Sequence, residues 1–272
     1  DAVTDRAPPP SDVPGEIGQI HGLGIDPADG ALYAATYRGL YRVTGPNEAL
    51  RIAESYQENS GFTVIGPSQF VSSGQPDIRA RIGDFEPAQM GFQRSDDGGR
   101  TWKALSLKGE ASFSLIAVRH GLVYGYEEAL ETFMVSPDGG YEWETRARVE
   151  DVVAFAVSPD DASTLIASTE DAILRSEDGG VSWQPVPEPP VRLLAWPAAL
   201  WAVDAEANLL RSTDAGATWE QRGSLPGQPS ALLAADDGLY FGTRQGEIYR
   251  STDAGVTWQQ RYAPPTRFST SR

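Results

Sequence analysis

Apolar residues along this chain come in short runs, each broken within a few positions by Gly, Asp, Pro or Ser. Val152 to Val157, Leu165 to Ser168, Ile173 to Ser176 and Ser182 to Val186 are four such runs in succession. Brief β-rich runs bounded by turn formers read as strands, here designated A, B, C and D. The order recurs. Superposing Phe155-Ala-Val-Ser-Pro-Asp-Asp on Leu23-Gly-Ile-Asp-Pro-Ala-Asp places an earlier unit at His21 to Glu54, with Leu40-Tyr41-Arg42 as its strand C. Strand A then begins near Gln19, Phe62, Ser112, Val152, Arg192 and Ser230, which predicts six units.

Between strands C and D a fixed motif, S-x-D-x-G-x-[TSE]-W, occurs five times: around Asp97 and Trp102, Asp138 and Trp143, Asp178 and Trp183, Asp214 and Trp219, and Asp253 and Trp258. Its spacing of about forty residues is that of one four-stranded propeller blade. A carboxylate there can accept turn amides, and the glycine can take positive φ, so the chain reverses. The Trp that follows is placed to pack between adjacent blades and is expected to be largely buried. In the first unit the motif has decayed to Thr44-Gly45-Pro46-Asn47.

The expected fold is therefore all-β: a six-bladed β-propeller of four-stranded antiparallel blades, with seven blades as the alternative. Each unit holds all four of its own strands, so ring closure is expected to rest on face packing between the first and last blades. Residues 1–16, which include DAVTDRAPPPSDVPG, are rich in Pro and polar side chains and read as a flexible tether. Residues 17–263 form the single propeller domain, and 264–272 a flexible tail.

The five motifs resemble the Asp-box (BNR) repeats of bacterial sialidases and of photosystem II assembly-factor propellers. His21-Gly-Leu-Gly-Ile-Asp-Pro, Gly61-Phe62-Thr-Val and Ser73-Gly74-Gln75-Pro76-Asp77 further resemble exported bacterial propellers labelled glycosyl hydrolases for their boxes. The resemblance implies the fold; chemistry must come from a site. Sialidases use an arginine triad, a Tyr activated by Glu, an Asp acid/base and an Arg-Ile-Pro signature. Here Arg51-Ile52 and Arg81-Ile82 are followed by Ala53 and Gly83, so the signature is missing. Arg94, Arg175, Arg211 and Arg250 recur beside box serines, which marks them as architectural.

Charge and composition narrow the functional classes. The chain carries 22 basic and 38 acidic residues, a formal charge of -16, which disfavours nucleic acid as a partner. Without cysteine there is no disulfide, thiol nucleophile or Cys-ligated zinc, and His21 and His120 are too few for a multi-histidine metal site. No cofactor or metal is expected. No apolar stretch is long enough to span a membrane.

With strand A lining a central channel, the B-to-C loops share the face opposite the boxes. Most are short, but residues 72–90 of the second blade form a long insertion with Asp77, Arg79, Arg81, Asp84 and Glu86. Long loops on rigid scaffolds often bind. The alternative is a solvated excursion held by its own salt bridges. Candidate ligand-binding residues on this face are His21, Tyr37, Arg38, Gln75, Asp77, Arg79, Arg81, Tyr126, Glu127 and Arg244, and none is assigned a catalytic role. Trp196 and Trp201 read as filling of the fifth blade.

The function expected is an exported, non-catalytic binding or assembly module that presents this face to a protein partner or a small polar or glycan ligand. It would act outside the cytoplasm as a secreted, periplasmic or lipid-anchored monomer, with a membrane tether through its N-terminus. The competing reading is a glycoside hydrolase of sialidase-like architecture.

Overall fold

In a computed structural model that describes residues 11–77, 79 and 89–265, six antiparallel sheets follow one another along the chain. Their A strands are Ile20–Asp26, Phe62–Gly66, Phe113–Arg119, Val152–Val157, Leu193–Ala195 and Pro229–Ala235. Each pairs in turn with its own B, C and D strands, and the A strands of neighbouring blades contact one another around the ring. This is the six-bladed propeller. A single 3-10 turn at Ile52–Glu54 is the one helical element among the described residues.

The box hairpins have a common hydrogen-bonded core. In the fourth blade the Ser176 hydroxyl donates to Asp178 Oδ1 at 2.9 Å and accepts the Gly180 N–H at 2.8 Å. Asp178 also accepts the Ser182 hydroxyl at 2.6 Å and the Ser182 N–H at 2.8 Å. Gly180 has φ 87°, which an L side chain resists. The same bonds recur at Asp214 and Asp253. Donated hydrogen bonds from these side chains and amides hold Asp178, Asp214 and Asp253 at pKa values of about 2.

The box tryptophans are largely but not completely buried, each packed against a core cluster between blades. They follow the hairpin onto the outermost strand, so one edge meets solvent while a face packs on the preceding blade. Trp183 lies 4.7 Å from the Phe133 ring, and Trp143 sits 5.3 Å from Phe92 and 4.5 Å from Phe113. The Trp143 indole N–H donates to Ser106 Oγ of the preceding blade at 2.9 Å. At the same junction a Cβ on Gly140 would overlap the Phe92 ring.

Ring closure uses face packing and needs no shared blade. Ile17 and Ile20 are buried in one cluster with Tyr240, Ile248 and Tyr262 of the sixth blade. The Ile17 N–H donates to the Tyr262 hydroxyl at 3.2 Å, and Ser230 donates to the Ile20 carbonyl at 2.7 Å. At the decayed box, Asn47 Nδ2 donates to the Ala263 carbonyl, and Ala263 N–H to that of Pro46.

The expected tether over residues 1–16 differs at its end. Val13–Pro14 pairs antiparallel with Glu48–Arg51 as a fifth strand of the first blade. Asp12 accepts the Ala53 N–H and pairs with Arg100 at 2.6 Å. Polar residues can dock through backbone and ion pairs, which a composition reading does not register. Residues 1–10 and 266–272 lie outside the described residues.

Candidate functional site

All six A strands line a central channel of ≈ 570 Å³. At its box-face end Arg119 reaches across from the third blade, where Nη1 donates to the Trp196 carbonyl at 2.7 Å and to that of Val157 at 3.3 Å. Burial lowers the pKa of this guanidinium. Trp196 thus borders the channel, while Trp201 is buried between the fifth and sixth blades.

His21 stands at the opposite mouth. Its Nε2 is buried without a hydrogen-bond partner, and burial pulls its pKa down to about 4, so the ring is neutral near pH 7. The Tyr37 ring caps it edge-on, with centroids 3.8 Å apart and planes 73° apart. Tyr37 remains 54% exposed. Its pKa is raised by desolvation and by the charges of Glu58 and Glu128, against the pull of Arg244. The mouths of the first, third and sixth blades therefore share one electrostatic neighbourhood. Thr36 and Thr243 close their B-to-C turns by accepting the N–H groups of Arg38 and Glu247, which projects Tyr37, Arg38 and Arg244 outward.

Beside the mouth, the docked N-terminal segment and the first blade enclose a groove of ≈ 600 Å³. Tyr37, Arg38, Tyr41, Arg51 and Tyr56 supply most of its side-chain chemistry. Arg51 donates to the Tyr41 hydroxyl from Nη2 at 2.6 Å and to the Arg38 carbonyl from Nε at 3.1 Å. Its guanidinium lies 3.8 Å from the Tyr56 ring centroid, and that of Arg79 lies 4.3 Å from the same ring. Such cation–π contacts fix both arginines at little entropic cost.

The described part of the insertion behaves as the salt-bridged alternative predicts. Arg79 pairs with Asp77 at 2.7 Å and Glu54 at 3.5 Å, and donates to the Glu54 carbonyl. Burial opposes the Asp77 charge, but hydrogen bonds from Arg79 and the Tyr56 N–H outweigh it and hold the pKa at about 2. The Gln75 carbonyl accepts the Glu58 N–H, and its side chain is exposed. Arg81, Asp84 and Glu86 lie outside the described residues.

Tyr126 and Glu127 are corrections. Both are 1% exposed. The Tyr126 hydroxyl donates to the Val149 carbonyl inside the core between the third and fourth blades. Glu127 accepts the N–H groups of Leu130 and Ser112, so its carboxylate organises its own turn. Neither lines the channel or the groove. Sequence reasoning missed Tyr41, Arg51 and Tyr56. The signal was available: the link from Arg51 to Phe62 is longer than the other D-to-A connections and has no counterpart in the repeat.

Neither cavity offers a carboxylate pair among the described residues: the channel lining contains no Asp or Glu, and the groove contains Glu16 alone.

The family model for the BNR/Asp-box repeat matches residues 93–104, the second-blade hairpin. No curated protein matches the chain. Among solved structures, YCF48 bound to D1 peptide is similar at 15% identity and TM-score 0.56, over 95% of this chain and 88% of that one. A chain of the nidogen/laminin complex is similar at 13% identity and TM-score 0.67, over 86% of this chain and 93% of that one. The GH74 enzyme of Niastella koreensis is similar at 15% identity and TM-score 0.50, over 90% of this chain and 38% of that one. At these identities the likeness is one of fold: the chain is a six-bladed propeller in which one hairpin matches the BNR/Asp-box repeat.

Proposed function

We propose that this propeller is a binding module that takes a protein or peptide partner at its B-to-C face. The observation that carries the reading is the ≈ 600 Å³ groove beside the channel mouth, walled by tyrosines and arginines on a rigid scaffold. Tyr and Arg are the side chains most enriched where protein interfaces bury their energy. The solved structures of YCF48 with D1 peptide and of nidogen with laminin lend the reading support by analogy. A glycoside hydrolase would need two carboxylates across a sugar-sized gap, and no described lining residues supply them.

The test is a thermal-shift screen of peptides and oligosaccharides against the whole chain. A ligand should raise the melting temperature of the wild type and of Val181→Ala, on the box face, and should fail to do so with Tyr37→Ala. A shift kept by Tyr37→Ala and lost by Val181→Ala would place binding on the boxes and overturn the proposal.

A further inference from the structure

We infer that the groove beside the channel mouth is a carboxylate-reading site for an acidic, extended peptide segment, with Arg38 and Arg51 in its lining and Arg244 of the sixth-blade turn outside it as its cations. The inference rests on the proposed binding face and adds the ligand's chemistry.

Charge pairing sets three arginines apart. Acids outnumber bases by 38 to 22, so an arginine on this surface has carboxylates in easy reach. Most described arginines take one: Arg42 pairs with Asp29, Arg94 with Asp96, Arg146 with Glu144, Arg175 with Glu177, Arg222 with Glu220 and Arg250 with Asp237. Arg38, Arg51 and Arg244 have no ion pair among the described residues, although they belong to one face of neighbouring blades. Other arginines without one are scattered. Arg119 is tied to carbonyls in the channel, Arg211 lies over Trp201, and Arg261 stands on an outer strand.

The three cations differ in what holds them. Arg51 is oriented in advance by Tyr41, Tyr56 and the Arg38 carbonyl, all neutral groups, so its position is fixed without an ion pair among the described residues. Arg38 and Arg244 make no side-chain hydrogen bond among the described residues and are exposed, Arg38 next to Tyr37 in the chain and Arg244 near enough for its charge to act on Tyr37. A pre-oriented guanidinium on the same face as two without a side-chain hydrogen bond suits a carboxylate that binds one cation in fork geometry while neighbouring carboxylates meet the others. The exposed Tyr37 ring and the partly exposed Tyr56 ring give the backbone and aliphatic parts of such a segment a surface to lie on, while the buried Tyr41 presents its hydroxyl to Arg51. The field of a chain at -16 repels acidic polymers in general, so this patch makes the recognition local.

The experiment measures fluorescence anisotropy of a short labelled peptide of alternating Glu and Val on the full chain. Three comparison peptides are a Gln-for-Glu twin, a Glu twin with an amidated C-terminus, and a Val peptide with a free C-terminal carboxylate. Sialyllactose is the competitor. The Glu peptide is expected to bind, to weaken as salt is raised, and to lose about tenfold or more in affinity with Arg38→Gln/Arg244→Gln. The Gln twin is expected not to bind. Retention by the amidated Glu peptide assigns side-chain carboxylates as the ligand, whereas binding by the Val peptide alone would assign a chain terminus and overturn the acidic-segment reading. Arg211→Gln, outside the groove, should leave affinity unchanged.

Because the Arg38 and Arg244 side chains have no hydrogen bond among the described residues, the double variant should keep its melting temperature, and the salt titration needs no variant. Binding of the Glu peptide that ignores both substitutions, no binding at all, or preferential capture of sialyllactose would overturn the inference. If the peptide fails while a Tyr37-dependent ligand still raises the melting temperature, only the carboxylate assignment falls. If both fail, the binding face falls with it.

Discussion

The His21 imidazole meets the ring of Tyr37 edge-on at 3.8 Å, and this contact covers a histidine whose Nε2 is buried without a hydrogen-bond partner. Desolvation lowers the His21 pKa from 6.5 to about 4. The native state therefore resists a proton that the unfolded chain accepts. The stability this gives is complete above pH 6.5 and is lost as pH falls towards 4. An NMR titration should show one imidazole still neutral at pH 5. Tyr37→Ala, which admits water, should move that midpoint back towards 6.5; a midpoint unchanged in Tyr37→Ala would show that the cap does not cause the shift.

The boxes should fail in a different pH window. Asp178, Asp214 and Asp253 titrate at about 2 against an ordinary 3.8, because bonds from Ser182, Thr218 and Thr257 favour the carboxylate. A depressed carboxylate pKa adds stability above 3.8 that disappears as pH falls to about 2. Asp178→Ala should lower the melting temperature at pH 7 and flatten its dependence on pH in that window, with ligand binding on the far face intact. Ser176→Ala leaves the buried Gly180 N–H without its acceptor and should cost about 1–3 kcal/mol in denaturant unfolding. An unchanged midpoint in both variants would show that the hairpins do not depend on these bonds.

Closure of the ring depends on a few side chains because no strand is shared between the first and last blades. Ile17 is 2% exposed and packs between them. Ile17→Ala should cost about 2–5 kcal/mol. Tyr262→Phe removes the acceptor of the Ile17 N–H and should cost about 1 kcal/mol. Equilibrium denaturation measures both, and near-wild-type stability of Ile17→Ala would locate closure elsewhere.

The repeat made the fold legible, and departures from the repeat hid the site. Strand A starts at Ile20, Phe62, Phe113, Val152, Leu193 and Pro229, beside the positions that motif spacing predicts, because each box fixes its hairpin locally. Val13–Pro14 escaped notice because two residues carry no periodicity, and pairing of their backbone with Glu48–Arg51 is a tertiary event. Tyr126 and Glu127 resembled mouth residues by position at the end of strand B. Alternation sends Tyr126 into the interblade core, and Glu127 turns back on its own loop. The Asp77-x-Arg79 spacing could have been read as a closed pair, since Asp77 also accepts the Arg79 N–H. Arg51 drew attention only as half of a missing signature, while its work is done on Tyr41 and Tyr56.

The same geometry predicts an absence of glycosidase turnover. Hydrolysis through an oxocarbenium-like transition state needs a protonated carboxyl on the leaving oxygen and a second carboxylate on the opposite face of the ring. Glu127 is committed to two backbone N–H groups, and Glu58 accepts the Ser60 hydroxyl at 2.7 Å. Glu128 lies close enough to act on the charge of Tyr37, but neither cavity lining includes it. An arginine clamp for a sialic acid carboxylate would also have to do without Arg79, which is bound to Asp77 and Glu54. Release of fluorophore from sialosides and neutral glycosides, at micromolar protein, should not exceed the buffer blank. Turnover above the blank that disappears in Glu58→Gln or Glu128→Gln would establish an acid/base pair at the mouth and make the chain an enzyme.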